Sequence, residues 1–184
     1  MFNWNVLADE ISSWILNYTK ENDISTLVVG VSGGIDSAVT STLCAKTGLR
    51  TIVINMPIKQ ATSQYNLSNQ HIEWLKKNWD NVEGHIIDLS ETYDKFHSKL
   101  IDHNVSELAM ANSRARLRMS TLYALAGSNN GIVVGTGNKV EDFGVGFYTK
   151  YGDGGVDISP IADLYKSEVY LLAESLQIIQ SIQD

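Results

Sequence analysis

The chain alternates between two hydrophobic periods. Over residues 5–19, Leu7, Ile11, Trp14, Ile15 and Tyr18 recur every three or four positions, the spacing of an amphipathic helix. Residues 26–31, TLVVGV, form instead a short valine-rich run, the pattern of a strand buried on both faces. The runs at 51–56 (TIVINM), 85–89 (HIIDL) and 131–135 (GIVVG) repeat that pattern. Helical spacing returns at 36–47, 62–78, 106–127 and 164–176. Alternating strands and helices predict βαβ units, hence a parallel sheet covered by helices in one doubly wound α/β domain. Ligands of such folds sit beyond the carboxyl ends of the strands, which directs attention to the loops after residues 31, 56, 89 and 135.

Composition narrows the class. At 184 residues and 43% apolar content, the chain can build one sizeable core. Fourteen Lys and Arg against 21 Asp and Glu leave a net charge of −7, which argues against a general nucleic-acid binder. The single Cys44 excludes a disulfide framework and a multi-cysteine zinc site, and its apolar helical position reads as packing. No apolar run approaches the length of a membrane span, and MFNWNVLADE lacks the layout of a signal peptide. A soluble, cytoplasmic protein is expected. His71, His85, His97 and His103 show no metal-ligand spacing.

The first strand runs into Ser32-Gly33-Gly34-Ile35-Asp36-Ser37 and then a helix. A glycine pair between a strand and a helix start makes an anion cradle, because the backbone approaches closely and the helix N–H groups face the ligand. Ser32 and Ser37 add hydroxyl donors. A tight turn with Asp36 and Ser37 merely opening the helix would use the same glycines. The carboxylate of Asp36 fits a phosphate site only if a cation bridges it, and Mg²⁺ on ATP is the usual bridge. The loop is neither a Walker A nor a G-x-G-x-x-G sequence. Gly135-Thr136-Gly137 begins like the latter but fails at Val140.

Three of the four arginines fall at Arg114, Arg116 and Arg118. On a helix Arg114 and Arg118 share a face and Arg116 points away. Such clustering suits carboxylate or phosphate recognition, although a solvated helix face would look the same. Residues 135–157, GTGNKVEDFGVGFYTKYGDGGVD, are polar and glycine-rich after a buried strand, as a binding loop is. Glu141 and Asp142 are candidate metal ligands or simply exposed acids. Lys166 falls in the first turn of a helix starting near Asp163, where a cation opposes the helix dipole unless an anion accompanies it.

SGGIDS after a valine-rich strand resembles the motif of the PP-loop ATP pyrophosphatases. Taken with ANSRARLRM, GTGNKVEDFGVGFYTKYGDGGVDISP and DLYKSEV, in that order, nearly the whole chain resembles the ammonia-dependent NAD⁺ synthetases. The resemblance implies a five-stranded parallel sheet with helices on both faces, a homodimer, and amidation of deamido-NAD⁺ by ammonia at the expense of ATP. Carried over by position, it implies that Gly30, Val31, Ser32, Gly33, Gly34, Ile35, Asp36 and Ser37 cradle ATP phosphates. Thr136 and Lys166 would also contact ATP, Asp36 and Glu141 would hold Mg²⁺, and Arg116, Lys150 and Asp157 would contact deamido-NAD⁺. The family domain continues past Asp184 through an acidic loop and a tail with a His-Lys pair, so a mass above 20.3 kDa is expected in solution. No glutaminase domain precedes Met1, so ammonia is expected from elsewhere. Neither nucleic acid nor membrane is an expected partner. Two other readings remain open: another PP-loop amidoligase, or a nucleotide-binding module without turnover.

Overall fold

The computed structural model describes residues 2–184. Its centre is a parallel sheet of β1 (Thr26–Gly30), β2 (Arg50–Asn55), β3 (Val82–Ile86) and β4 (Gly131–Val133), in the order β3-β2-β1-β4. The chain winds outward from β1 through β2 to β3, then crosses back to lay β4 on the other side of β1. That reversal opens a crevice at the carboxyl ends of β1 and β4, where doubly wound sheets bind ligands.

Successive side chains of the strands point to opposite faces, so each face has its own core. Leu27, Val29 and Val53 pack with Val39 and Leu43 of α2 (Ile35–Lys46), Leu75 of α3 (Thr62–Asn78) and Leu172 of α6 (Lys166–Ser175). The outer layer of this face is α1 (Trp4–Glu21), which Asn3 caps by accepting hydrogen bonds from the N–H groups of Asn5 and Val6. Val28, Ile52 and Ile54 face the other way, onto Met119 and Leu122 of α5 (Glu107–Ser128) and Tyr93 of α4 (Ser90–Ser98). Burying each such side chain is worth about 1.5–3 kcal/mol, so the two cores fix the sheet between its helices.

The sheet has four strands where five were expected. The fifth position is reduced to one parallel bridge between Val134 and Ile158, closed by Asp157 N–H to Val133 O (3.0 Å) and Gly135 N–H to Ile158 O (2.8 Å). Pro160 has no N–H to continue the ladder, and turns at Ala162 and Leu164 carry the chain away. The third strand lies at 82–86 rather than 85–89. Its register against β2 runs from Thr51–Val82 to Asn55–Ile86, and as an edge strand it is only partly buried, so the apolar run is displaced from the paired residues. The expected helices all appear within a few residues of their predicted bounds. Added to them are α4, a single π-type turn at Val140–Val145, and α7 (Gln180–Gln183). Among the described residues no helix is long and apolar enough to cross a membrane.

Candidate active site

A cleft of about 1060 Å³ occupies the switch crevice. Gly30–Gly34 form its floor, Asn55–Ala61 one wall, α5 from Leu108 to Leu122 another, and Val133–Thr136 with parts of 146–156 the third. It thus uses the loops after β1, β2 and β4; the loop after β3 stays outside.

The glycine-rich loop is held from within. Ser32 N–H donates to Ser37 Oγ (3.1 Å), Ser37 Oγ donates to Gly34 O (2.9 Å), and Gly34 N–H donates to Ser32 Oγ (3.3 Å). Gln60 Nε2 adds a bond to Ser32 O (3.1 Å). Gly33 has φ +85°, and a Cβ there would lie 2.6 Å from the carbonyl oxygen of Gln64. Gly34 precedes α2 and supplies no capping side chain, so the first-turn N–H groups of that helix remain open to a ligand.

Beside the loop, two acids and a lysine converge. Lys166 Nζ pairs with Asp36 Oδ2 and lies 3.3 Å from Glu141 Oε1. Burial alone would lower the pKa of Lys166, but hydrogen bonding and charge from Asp36, then Glu141, outweigh it and leave the pKa raised. Lys166 is the first residue of α6, where the helix dipole disfavours a cation; the two carboxylates supply the compensation. Asp142 stands close by, its carboxyl pushed up by burial and by the charges of Glu141, Asp153 and Asp36. Among the described residues no group of three or more His, Cys, Asp or Glu could hold a metal unaided. Two carboxylates already gathered about one cation do fit Mg²⁺, which takes one or two protein carboxylates together with substrate phosphates.

The arginines divide as helix geometry requires. Arg114 and Arg118 line the cleft, and among the described residues neither forms an ion pair. Arg114 stacks on the Tyr93 ring at 5.7 Å, and Arg118 Nε donates to Met56 O at 2.9 Å. Burial, with the neighbouring charge of Arg114, lowers the pKa of Arg118. Cationic groups left without a protein counter-ion in a cleft suit an anionic ligand. Arg116 points out of the cleft and donates from Nε to Lys150 O (3.1 Å).

Lys150 and Asp157 also lie outside the cleft lining, on the loop beside α5. Lys150 Nζ sits 5.0 Å over the Tyr151 ring. Asp157 accepts from Val133 N–H (2.7 Å) and from the Tyr123 hydroxyl (3.0 Å). The Tyr123 pKa is pushed up to about 12 by burial and by the Asp157 carboxylate. Thr136 lines the cleft. The structure therefore brings Gly30–Gly34 and Thr136 to one cleft and Asp36, Glu141 and Lys166 to its edge. Arg116, Lys150 and Asp157 form a separate group along α5.

Sequence reasoning missed Asn138, which is fully buried and hydrogen-bonded to Asp36, and passed over Gln60. Asn138 gave no periodic signal, though its place between Gly137 and the paired acids was a usable one. Cys44 is fully buried and burial pushes its thiol pKa up, so it packs rather than reacts.

The parallel sheet, the reversal between β1 and β4 and the uncapped glycine-rich loop there define a doubly wound α/β protein whose switch point presents open helix N–H groups to a cleft. The NAD synthase family model matches residues 7–184, and the chain belongs to that family. It is 37% identical to the NH(3)-dependent NAD(+) synthetase of Carboxydothermus hydrogenoformans, over 98% of this chain and 73% of that one. It is 39% identical to the enzyme of the same description from Methanosarcina acetivorans, over 92% of this chain and 66% of that one. Among solved structures, NMN synthetase from Francisella tularensis superposes with a TM-score of 0.92 at 33% identity, over 100% of this chain and 75% of that one. The NH3-dependent NAD synthetase of Campylobacter jejuni, in complex with the nitrate ion, superposes with a TM-score of 0.89 at 31% identity, over 99% and 77%.

Proposed function

We propose that this chain catalyses the ATP-dependent amidation of deamido-NAD⁺ by ammonia, yielding NAD⁺, AMP and pyrophosphate. The observation that carries this is the junction of an uncapped glycine-rich loop with the Asp36–Lys166–Glu141 cluster, at the switch point of the parallel sheet. In this reading the open N–H groups of α2 and the hydroxyls of Ser32 and Ser37 receive the ATP phosphates. Thr136 contacts the same nucleotide from the β4 side. Lys166, held by Asp36 and Glu141 in the free protein, contacts a phosphate of ATP in this reading. Arg116, Lys150 and Asp157 contact the dinucleotide, and the exposed rings of Phe147 and Tyr148 at the cleft rim offer flat faces to its heterocycles.

The chemistry asks little nucleophilic help of the protein. A carboxylate oxygen of the nicotinate ring attacks the α-phosphorus of ATP, and the bond to pyrophosphate breaks. Ammonia then attacks the acyl carbon of the adenylate, AMP departs, and nitrogen loses a proton. Mg²⁺ held by Asp36 and Glu141 would neutralise the departing pyrophosphate. The protein's part is to align the two substrates and to keep water from the adenylate.

A second reading has a specific support in the likeness to an NMN synthetase: the amidated nucleotide is a mononucleotide. Incubation with ATP, Mg²⁺ and ammonium, supplied with either deamido-NAD⁺ or nicotinate mononucleotide, separates the two. AMP formed together with NAD⁺ supports the first, and AMP with the mononucleotide amide supports the second. ATP bound but unconverted in both arms points to a module without turnover. Asp36→Asn is expected to abolish AMP formation while leaving the fold intact; near-normal AMP from this variant refutes the role of Asp36. We place the reaction in the cytoplasm, in keeping with its use of ATP and the free buried thiol of Cys44. We also read the protein as a homodimer. Ile101, Leu108, Phe143, Val145, Phe147 and Tyr151 each leave over two thirds of their surface exposed, and sedimentation tests whether a second copy covers any of them.

A further inference from the structure

We propose that Asn138 is a positioning residue that sets the spacing of Asp36 and Glu141 through one side-chain amide. This rests on the reading above, in which those two carboxylates hold the cation that accompanies ATP. Asn138 is fully buried, a costly location for an amide whose bonds are not made. Its Nδ2 donates to Asp36 Oδ1 at 3.0 Å, the carboxylate oxygen that Lys166 does not take. Its Oδ1 accepts from the backbone N–H groups of Val140 (3.0 Å) and Glu141 (3.2 Å). Only this orientation of the amide satisfies its partners, since a flip would set oxygen against carboxylate and NH₂ against N–H.

The consequence is a rigid link between two acids 105 residues apart in sequence. Asp36 is fixed by its side chain and Glu141 by its backbone, both to the same planar group. The backbone of Asn138 strengthens the arrangement, its carbonyl accepting from Asp142 N–H at 3.0 Å. The next residue is tied to the segment before Lys166 by Lys139 N–H to Leu164 O at 2.9 Å. Gly137 leaves the room required, because a side chain there would overlap the Asp142 carboxylate. Lys166 holds the pair from the solvent side with a flexible stem. Asn138 holds it from the buried side with a planar group that has no freedom to follow.

A cap for the turn at 140–145 is the competing role, and the two are separable. Serine at position 138 can still accept from the N–H groups two and three residues on, as it does at helix starts, but it cannot reach Asp36 with a donor. Thermal unfolding of wild type and Asn138→Ser, at fixed ATP and graded free Mg²⁺ without the nicotinate substrate, reads the Mg²⁺ concentration that half-saturates the stabilisation. The variant is expected to need about tenfold more Mg²⁺, as for loss of one charge-assisted hydrogen bond. Its melting temperature without ligand is expected to fall, because a buried hydrogen bond and some volume are lost, so the half-saturating Mg²⁺ rather than the melting temperature is the deciding readout. Asn138→Thr, nearer to asparagine in volume, serves if the serine variant fails to fold. A half-saturating Mg²⁺ equal to wild type in a folded variant overturns the proposal and leaves Asn138 a cap only. If wild type itself gains no stability from Mg²⁺ in the presence of ATP, the assignment of Asp36 and Glu141 fails first and takes this proposal with it.

Discussion

At Gly33 two independent requirements fall on one residue. The backbone is left-handed, with φ +85°, and the Gln64 carbonyl occupies the space a Cβ would need. A non-glycine residue in this conformation costs about 1–2 kcal/mol before any clash is counted. The clash partner is backbone, so α3 would have to shift along with the loop. Gly33→Ala is therefore expected to lower stability by at least about 2 kcal/mol and to weaken ATP binding. Equilibrium unfolding and nucleotide titration of the same preparation check both halves, and a variant with unchanged stability and affinity would refute the double role. This glycine was readable in the sequence because a strand, a glycine pair and a helix start leave few alternatives. Asn138 was not, because its importance lies in bonds to residues that only folding brings near. Arg114 and Arg118 were separable from Arg116 by helix phase, but the side on which the cleft lies depends on how α5 packs on the sheet.

Among the elements, α2 and α3 are joined by a buried polar contact. His71 Nε2 lies 3.0 Å from Ser41 Oγ, and Ser41 donates to Ser37 O at 2.7 Å, so the imidazole N–H donates to the serine. Nδ1 is left buried without a partner. Burial, opposed only in part by the Ala38 carbonyl, lowers the His71 pKa to about 4. Between that value and the ordinary 6.5 the unfolded chain binds a proton that the folded one does not. Stability then rises with pH across the window, and the contribution is lost as pH falls from 6.5 toward 4. Urea unfolding at pH 7.5 and 5.0 should show a loss of about 2 kcal/mol from this residue, read as the difference in pH response between wild type and His71→Gln. Identical responses would exclude the histidine as the source. Elements with strong periodicity or a fully buried run were legible from the sequence, as α2, α3 and β1 illustrate. The edge strand β3 was not, because only one of its five residues is fully buried and its position follows β2. The fifth strand failed for a local reason, Pro160, whose effect on a ladder becomes visible only once the ladder's neighbour is known.

For the whole molecule, the segment 135–157 is the place where distant parts meet, and it divides into two. Its first half is attached to the glycine-rich-loop side: Asn138 bonds Asp36, Glu141 meets Lys166, and Lys139 N–H bonds Leu164 O. Its second half is attached to α5: Thr149 Oγ1 donates to Asn112 (3.0 Å), Arg116 donates to Lys150 O, and Tyr123 donates to Asp157. Spacing along the chain could reveal that this stretch binds something, but not that its halves belong to different supports. Under the proposed function, the first half would answer to ATP and the second, which lines the cleft from the α5 side, to the nicotinate nucleotide. A ligand stabilises what it touches by mass action, so at a hundredfold excess over Kd local opening is suppressed by up to about 100-fold. Hydrogen exchange with Mg²⁺ and ATP alone is expected to slow at 31–37 and 136–142, leaving 149–157 nearly unchanged. Exchange with deamido-NAD⁺ alone should slow at 149–157 and along the Arg116–Tyr123 stretch of α5. Uniform slowing of 136–157 by either substrate alone would mean that the segment responds as one body and that the two supports do not separate the substrates.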